Sequence, residues 1–161
     1  MPNLTCPDGT VLGHSTVALT RMIGAEHGYY PADPIAAYNC DFLIDLLHDF
    51  FSSKNYEGPV FAKTDAERQA LCAPWMKAWS KYLGFMDEFV SSGKKFLVGD
   101  SITIADFWVG KFYTDMFAND LYPFKKERAM LMGMHPNFKN YGERFKAEMR
   151  PYLDTRAPKP A

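Results

Sequence analysis

The sequence predicts a mainly α-helical fold in which a helical bundle follows a short β-hairpin and one helix. From about residue 33 onward, apolar residues recur at spacings of three and four, which is the period of an amphipathic helix. The 161 residues include 16% aromatic residues and nine methionines, enough large apolar side chains for a thick core. The length corresponds to one domain, or to one domain carrying a fragment of another.

The first 29 residues differ from the rest and predict two short strands and a helix. Residues 4–6 and 10–12 have the composition of strands, and the Pro-Asp-Gly sequence between them is typical of a tight turn. A helix is expected from about Thr16 to Glu26, with Gly28 after its end. A hairpin with one helix is too small to fold alone, so we expect this segment to belong to a larger unit.

The first long helix is expected to begin at Asp33 and Pro34, which suit an N-cap and a first helical position. Ser53 and the pair Gly58 and Pro59 are expected to end it. Its predicted apolar face consists of Ile35, Phe42, Leu43, Leu46, Leu47, Phe50 and Phe51.

A second helical pattern follows Thr64 and Asp65, and Pro74 either kinks that helix or starts a new one. Beyond Pro74 the apolar spacing is unusually regular, and residues 91–93 are expected to end the helix. This apolar face consists of Trp75, Trp79, Tyr82, Leu83, Met86, Phe89 and Val90.

The next helix is preceded by a capping box, because Thr103 and Asp106 have the required spacing, with Asp in place of the usual Glu or Gln. A methionine-rich helix and a last helix interrupted by Pro151 complete the bundle. Residues 156–161 are expected to form a loose extension. The predicted core centres on Trp75, Trp79, Tyr82, Phe107, Trp108 and Phe112.

Composition and charge exclude several classes of function. The net charge of −1 provides no basic excess to bind nucleic acid or an anionic membrane, and no apolar stretch approaches the length of a membrane span. The sequence offers no coherent metal site, phosphate loop or nucleophilic triad. Cys6, Cys40 and Cys72 are widely spaced and predict free thiols. Since no secretory signal is recognisable, we expect an intracellular protein, either cytoplasmic or part of an organellar assembly.

Several short motifs resemble the cytosolic glutathione S-transferases, near the sigma, alpha, mu and pi classes. They occur in the family's order and spacing across nearly the whole chain. The motifs are MPNL at 1–4, DG at 8–9, LGHS at 12–15, ALTRMIG at 18–24, GYYP at 28–31 and GDSITIAD at 99–106.

The resemblance implies a two-part organisation. Residues 1–29 correspond to a partial thioredoxin-like domain, and residues 30–161 to the family's C-terminal helical domain. The family's first strand, first helix and second strand would precede Met1. In the family, the first of these strands carries the Tyr, Ser or Cys that stabilises the glutathione thiolate, so the resemblance gives no catalytic residue within this sequence.

The resemblance also implies part of a glutathione site. Pro2 matches the family's cis-proline, after which the backbone of Asn3 and Leu4 would pair with glutathione. Ser15 matches the serine that binds the γ-glutamyl carboxylate, and it is also an ordinary N-cap candidate. His14 departs from the family's usual Gln. The implied glutathione-site residues are Pro2, Asn3, Leu4, His14, Ser15 and Asp45.

Asp45 resembles an acidic residue that reaches the glutathione amine across a dimer in some classes. The plain alternative is a solvated face of an amphipathic helix, which we favour. Likewise, Trp108, Phe112 and Tyr113 either line a pocket for an apolar electrophile or belong to the core. Neither metal nor a tightly held cofactor is implied, and glutathione would be a substrate or a ligand.

Two functional hypotheses follow. The preferred one is a glutathione S-transferase-like protein without the thiol-activating residue, acting as a non-catalytic interaction or assembly subunit. The alternative is a glutathione transferase, or a fragment of one, that conjugates glutathione to electrophiles. In either case we expect residues 1–29 to be covered by a second copy or by another protein, because their apolar side chains are only partly covered by the rest of this chain. Those side chains are Leu4, Val11, Val17, Leu19, Met22 and Ile23.

Overall fold

The computed structural model describes residues 2–52, 62–91 and 93–157, and the predicted mainly α-helical fold is confirmed. The elements in chain order are β1 (Leu4–Thr5), β2 (Val11–Leu12), α1 (Thr16–Glu26), α2 (Pro34–Ser52), α3 (Asp65–Val90), α4 (Ile104–Phe112) with a π-helical extension (Tyr113–Phe117), α5 (Lys125–Met134), α6 (Pro136–Glu148) and α7 (Arg150–Leu153). Within the described ranges, no helix is long and apolar enough to cross a membrane.

The predicted hairpin and helix are present at the start of the chain. β1 and β2 pair antiparallel, with Leu4 opposite Leu12. The turn is closed by Asp8, whose Oδ1 accepts a hydrogen bond from the Thr10 N–H at 2.9 Å, and Gly9 has the positive φ that this turn requires. The strands are two residues long, since Cys6 and Thr10 belong to the turn: the Cys6 N–H donates to the Thr10 carbonyl at 2.8 Å.

Residues 2–30 are joined to the helical bundle by a small set of contacts. The Ile104 N–H donates to the Tyr29 carbonyl at 2.9 Å, and the Tyr29 ring meets Phe107 edge-on at 5.2 Å. Gly24 lies directly against the Ile104 side chain, and a Cβ at residue 24 would overlap Ile104 Cγ2. A residue larger than glycine would therefore separate α1 from α4.

Helix α2 begins as predicted, because Asp33 Oδ1 accepts the N–H groups of Ile35 and Ala36 at 3.1 and 2.8 Å. Its predicted apolar face is only partly correct. Ile35 is 70% exposed and Phe42 is 39% exposed. They are seven residues apart and share a stripe of α2 beside the buried one. Phe42 stacks on Phe89 of α3, with ring centroids 6.3 Å apart, and its ring remains partly exposed. The fully buried residues are Cys40, Leu43, Ile44 and Leu47.

The predicted end of α2, at Ser53, Gly58 and Pro59, lies outside the described residues. Helix α3 begins with a capping box between Thr64 and Glu67 and is one continuous helix through Pro74, so this proline does not start a new one. Its buried face agrees with the prediction except at Phe89, which is half-buried: Trp75, Trp79, Tyr82, Leu83, Met86 and Val90.

The predicted capping box at the start of α4 is present and fully buried. Asp106 accepts hydrogen bonds from the Thr103 N–H at 2.8 Å, the Thr103 hydroxyl at 3.0 Å and, unexpectedly, the Leu97 N–H at 3.1 Å. Burial raises the pKa of Asp106, although these hydrogen bonds oppose the shift. The carboxylate thus fixes both the start of α4 and the loop before it.

Arg128 holds together the segment between α4 and α5. Its guanidinium donates five hydrogen bonds, all to backbone carbonyls. The acceptors are Met116, Phe117, Asn119, Tyr122 and Pro123. The carbonyls at the end of a helix have no hydrogen-bond donor within the helix, and here the Arg128 guanidinium donates to them.

The core differs from the prediction around α4. Trp75, Trp79 and Tyr82 are buried as expected, but Phe107, Trp108 and Phe112 are only half-buried at the edge of the cluster. The centre of the core also contains side chains of α4 and of the later elements that were not among the predicted core residues: Ile104, Val109, Tyr113, Leu131, Phe138, Tyr141 and Phe145.

The predicted loose extension from residue 156 onward is wrong at its first residue. Arg156 Nη2 forms a 2.5 Å ion pair with Asp115 Oδ1, and both side chains are mostly buried. Residues 158–161 lie outside the described residues. The chain thus remains attached to the bundle through Arg156.

Candidate functional site

The hairpin and α1 bring most of the predicted site residues together at one corner. The pairing of Leu4 with Leu12 places Asn3 beside Gly13, so closely that a Cβ at residue 13 would overlap Asn3 Oδ1. His14 and Ser15 follow directly and are exposed. Five of the six predicted residues therefore lie near this corner; we call residues 2–4 and 13–15 the hairpin corner.

Ser15 is the N-cap of α1, as expected. Its backbone is extended, and its Oγ accepts a hydrogen bond from the Ala18 N–H at 3.2 Å. The first turn of α1 has no acidic side chain. The N–H groups at the start of a helix and the helix dipole favour a nearby anion such as a carboxylate.

His14 has a strained backbone immediately before this cap. Its φ of 70° lies in the left-handed region, which residues other than glycine adopt at a cost of about 1–3 kcal/mol. Strain of this kind is concentrated at binding sites. The His14 conformation was not predictable from the residue type.

The peptide bond preceding Pro2 involves Met1, which lies outside the described residues, so the predicted cis bond stays a prediction. Pro2 and Asn3 are exposed, and Leu4 is half-buried. β1 and β2 form a two-stranded sheet, so each strand pairs along one edge. The opposite edge of β1 faces away from β2.

Asp45 is exposed on α2, outside the hairpin corner. The acidic residue that contacts the first segment is Asp41, one turn earlier. Asp41 Oδ1 accepts from Arg21 Nε at 3.0 Å, and Oδ2 accepts from the Tyr30 hydroxyl at 2.9 Å. This group was not predictable from the sequence, because the partners are 20 and 11 residues from Asp41 and share no motif with it.

Two of the aromatic candidates for an electrophile pocket belong to the core. Tyr113 is buried and its hydroxyl donates to Glu143, and burial raises its pKa. Phe112 packs against Phe51 with ring centroids 4.4 Å apart. Trp108 is half-buried and packs against the same core.

The thiols are free, as predicted, and Cys40 is fully buried. Cys72 is half-buried. Burial raises the pKa of both Cys40 and Cys72, which makes them poor nucleophiles. Among the described residues, no three His, Cys, Asp or Glu side chains are grouped to hold a metal ion.

A helical bundle preceded by a ββα segment, with a buried capping box at its centre, defines a glutathione transferase-type fold. Comparison with known families agrees: residues 45–156 match the family model described as the glutathione S-transferase, C-terminal domain. The chain belongs to this family.

Individual similar proteins agree with this assignment. Glutathione S-transferase 4 of Caenorhabditis elegans is 28% identical over 146 residues, covering 83% of this chain and 69% of the relative. The fold is also similar to that of monomeric Na-GST-3 from the hookworm Necator americanus, with a TM-score of 0.81 at 23% identity over 99% of this chain and 75% of the other. A glutathione transferase homologue from Sulfitobacter, solved with bound glutathione, has a TM-score of 0.62 at 15% identity over 94% and 82% of the two chains.

Proposed function

We propose that this chain is a glutathione-binding member of the family that serves as an interaction or assembly subunit, and that residues 1–161 do not themselves activate the glutathione thiol. The observation that carries glutathione binding is the hairpin corner, where the strained His14 leads into Ser15 at an uncovered helix N-terminus. The γ-glutamyl carboxylate is the part of glutathione that this corner suits. The homologue solved with glutathione supports the choice of ligand.

The proposal that thiol activation is absent from residues 1–161 rests on the engagement of a cation, Arg21, and a hydroxyl, that of Tyr30. A glutathione thiol resembles free Cys, with a pKa of about 8.5, and needs a donor or a cation at the sulfur to ionise at neutral pH. Arg21 is paired with Asp41, and the Tyr30 hydroxyl already donates to the same carboxylate. Burial raises the pKa of Tyr30. These two groups are therefore engaged by Asp41 of α2.

A role in assembly is supported by the apolar surface. Within residues 2–29, Val11, Met22 and Ile23 are exposed, whereas Leu19, which was expected to be only partly covered, is buried against the rest of the chain. Contiguous apolar patches on a protein surface mark interaction sites. We propose a second copy of the chain or a different protein as that partner, with a boundary between the two parts of the chain at residues 29–30.

Glutathione binding can be tested by separating the two functions of Ser15. Ser15→Asp keeps a good N-cap but places a carboxylate against the ligand carboxylate, so glutathione affinity should fall more than about tenfold while the melting temperature is maintained. Thr20→Ala removes a hydroxyl from the same helix, where it bonds the Thr16 carbonyl, and should leave binding unchanged. Calorimetric titration of the 161-residue chain measures both. Equal affinities in Ser15→Asp and the parent chain would exclude this corner as the site.

The assembly proposal has its own test in hydrogen exchange. Amides of residues 4–23 should exchange quickly in the purified monomeric chain and become protected in the native assembly. Strong protection of the same amides in a chain shown to be monomeric would contradict the need for a partner.

The second candidate function is glutathione conjugation, favoured by the similarity to glutathione S-transferase 4 over most of this chain. It requires a thiol-activating group from outside residues 1–161. N-terminal sequencing of the native protein would show whether such a segment exists. Turnover of an aryl halide by the 161-residue chain, abolished by a substitution within it, would contradict the first proposal, because the activating group would then lie within residues 1–161.

A further inference from the structure

A solvent-open cavity of about 340 Å³ lies between the π-helical extension of α4, helix α5 and helix α6. Its volume is at the lower end of the range for small-molecule sites, about 300–1,000 Å³. None of its lining residues belongs to residues 2–30, so this cavity is separate from the hairpin corner.

The lining of this cavity is rich in charge, with four cations and two carboxylates. Both carboxylates already have partners within the chain. Asp120 forms an ion pair with Lys125 at 2.7 Å, and Glu143 accepts a hydrogen bond from the Tyr113 hydroxyl. The cavity therefore has an excess of two positive charges. The charged lining residues are Asp120, Lys125, Arg128, Lys139, Glu143 and Lys146.

Three of the four cations have no carboxylate partner among the residues that the structure describes. Lys139 and Lys146 are exposed and form no ion pair there. Arg128 is only 3% exposed, and its guanidinium donates to neutral backbone carbonyls. Buried charges are normally paired, because it is costly to remove a charge from water. An anion in the cavity would provide the countercharge for Arg128.

The cations of the cavity already act together on one anion, the carboxylate of Asp120. The hydrogen bond and the charge of Lys125 lower the pKa of Asp120, and the charges of Arg128 and Lys146 lower it further. Lys125 and Arg128 belong to α5, whereas Lys146 belongs to α6. Cations of both helices therefore favour the ionised form of an acid placed between them.

A phosphate monoester matches this combination of groups. It carries a charge of about −1.5 to −2 at pH 7, which complements an excess of two positive charges. Its oxygens accept several charge-assisted hydrogen bonds from ammonium and guanidinium groups. The lining also includes Phe117 and Met132, whose apolar side chains suit the organic part of an ester.

We propose that this cavity binds a small organic phosphate monoester. Its phosphate group pairs with Lys139 and Lys146 near the charge of Arg128, and its organic part lies against Phe117 and Met132. The ligand has no thiol and the site shares no residue with the hairpin corner, so this proposal and the proposed function can fail independently.

The test uses phenyl phosphate as the probe and the full 161-residue chain. Amide chemical shifts of residues 117–129 and 139–146 should change in a saturable manner. Phenyl sulfate has nearly the same shape but a single negative charge, so its affinity should be about fivefold lower. Inorganic phosphate lacks the ring and should bind the same residues more weakly than phenyl phosphate does.

Three results with these probes would overturn the proposal. The first is a set of shift changes centred on other residues, and the second is a response to phenyl phosphate that does not saturate. The third is a control probe, phenyl sulfate or inorganic phosphate, that binds as tightly as phenyl phosphate.

Charge variants at the two exposed lysines test the same site without disturbing the fold, because Lys and Gln have similar helix propensity. Lys139→Gln and Lys146→Gln should each weaken phenyl phosphate binding about fivefold, and the double variant about 25-fold. The matched control is Lys126→Gln, an exposed lysine of α5 that does not line the cavity and should have no effect.

Equal phenyl phosphate affinity in the double variant and the parent chain would contradict the proposal. An equally large loss in Lys126→Gln would contradict it as well, because binding would then follow the total charge of the chain rather than this cavity.

Discussion

At the scale of single residues, Asp106 shows how much a short motif predicts. The spacing of Thr103 and Asp106 predicted the cap correctly, because a capping box is formed by neighbouring residues. The bond from the Leu97 N–H and the complete burial were not predictable, since they depend on how the preceding loop returns to the helix. The structure therefore raises the expected cost of changing this residue above that of an exposed cap.

Asp106→Asn should lower the free energy of unfolding by about 1–3 kcal/mol, because one amide oxygen cannot accept from both buried N–H groups. The same chemical change at the exposed capping box of α3, Glu67→Gln, should leave stability unchanged. Urea unfolding of the two variants measures the difference. Equal midpoints for both variants would mean that the Asp106 carboxylate is not needed as a double acceptor.

The pH dependence of the same variant provides a further test. Burial raises the folded-state pKa of Asp106, so the folded state holds this proton more tightly than the unfolded state does. The stability that Asp106 contributes should therefore be largest below the ordinary carboxyl pKa of about 3.9 and be lost as pH rises through the raised folded value. The free energy of unfolding of the parent should therefore fall over that window relative to Asp106→Asn. A cost of the substitution should remain above the window, because both oxygens of Asp106 accept hydrogen bonds in either protonation state and an amide nitrogen accepts none. A difference that grows with pH would show that the hydrogen bonds outweigh burial.

Arg128 is the opposite case, a residue whose importance has no sequence signal. Its partners are backbone carbonyls, which every residue possesses, so no motif could have identified them. Arg128→Lys should cost about 2–4 kcal/mol, because an ammonium cannot reproduce a planar fork of five bonds and leaves buried carbonyls unpaired. Arg144→Lys is the control, since Arg144 makes one exposed bond to the Lys95 carbonyl. Similar urea midpoints for the two variants would contradict the structural role of Arg128.

At the scale of elements, helix starts were predictable and helix faces were less so. Ser15, Asp33 and Thr103 all begin helices as expected, because N-capping depends on adjacent residues. The exposure of Ile35 and Phe42 depends on which neighbour covers each stripe of α2, and periodicity alone does not contain that information. The partial exposure of Phe107, Trp108 and Phe112 was not predictable for the same reason.

The crossing of α1 over α4 depends on Gly24. Gly24→Ala should destabilise the chain by about 1–3 kcal/mol, because the new methyl group overlaps Ile104 and the gain in helix propensity is smaller. Gly133→Ala in α5 is a matched control with nothing within 4 Å of the added Cβ, and it should stabilise by about 0.5–1 kcal/mol. Thermal unfolding of both variants would check the sign. Stabilisation by Gly24→Ala would mean that α1 is not held against α4.

At the scale of the whole molecule, the family and the division into a ββα segment and a helical bundle were predictable from motif order. The hairpin corner was only partly predictable. Residues 2–4 and 13–15 lie within the motifs that resemble the family, whereas the tie from Asp41 to Arg21 and Tyr30, an ion pair and a hydrogen bond, comes from tertiary packing. That tie engages the Arg21 cation and the Tyr30 hydroxyl. We therefore treat glutathione recognition, which the corner suits, as separate from thiol activation, for which these groups are not free.

The measurement that tests this separation most directly is the pKa of the glutathione thiol bound to the 161-residue chain, followed by the ultraviolet absorbance of the thiolate as pH is raised. The account predicts that the bound thiol titrates near the free value of about 8.5. It also predicts that Ser15→Asp removes the bound signal. A bound thiol that is ionised below about pH 7 would contradict the account, because residues 1–161 would then contain an activating group of their own.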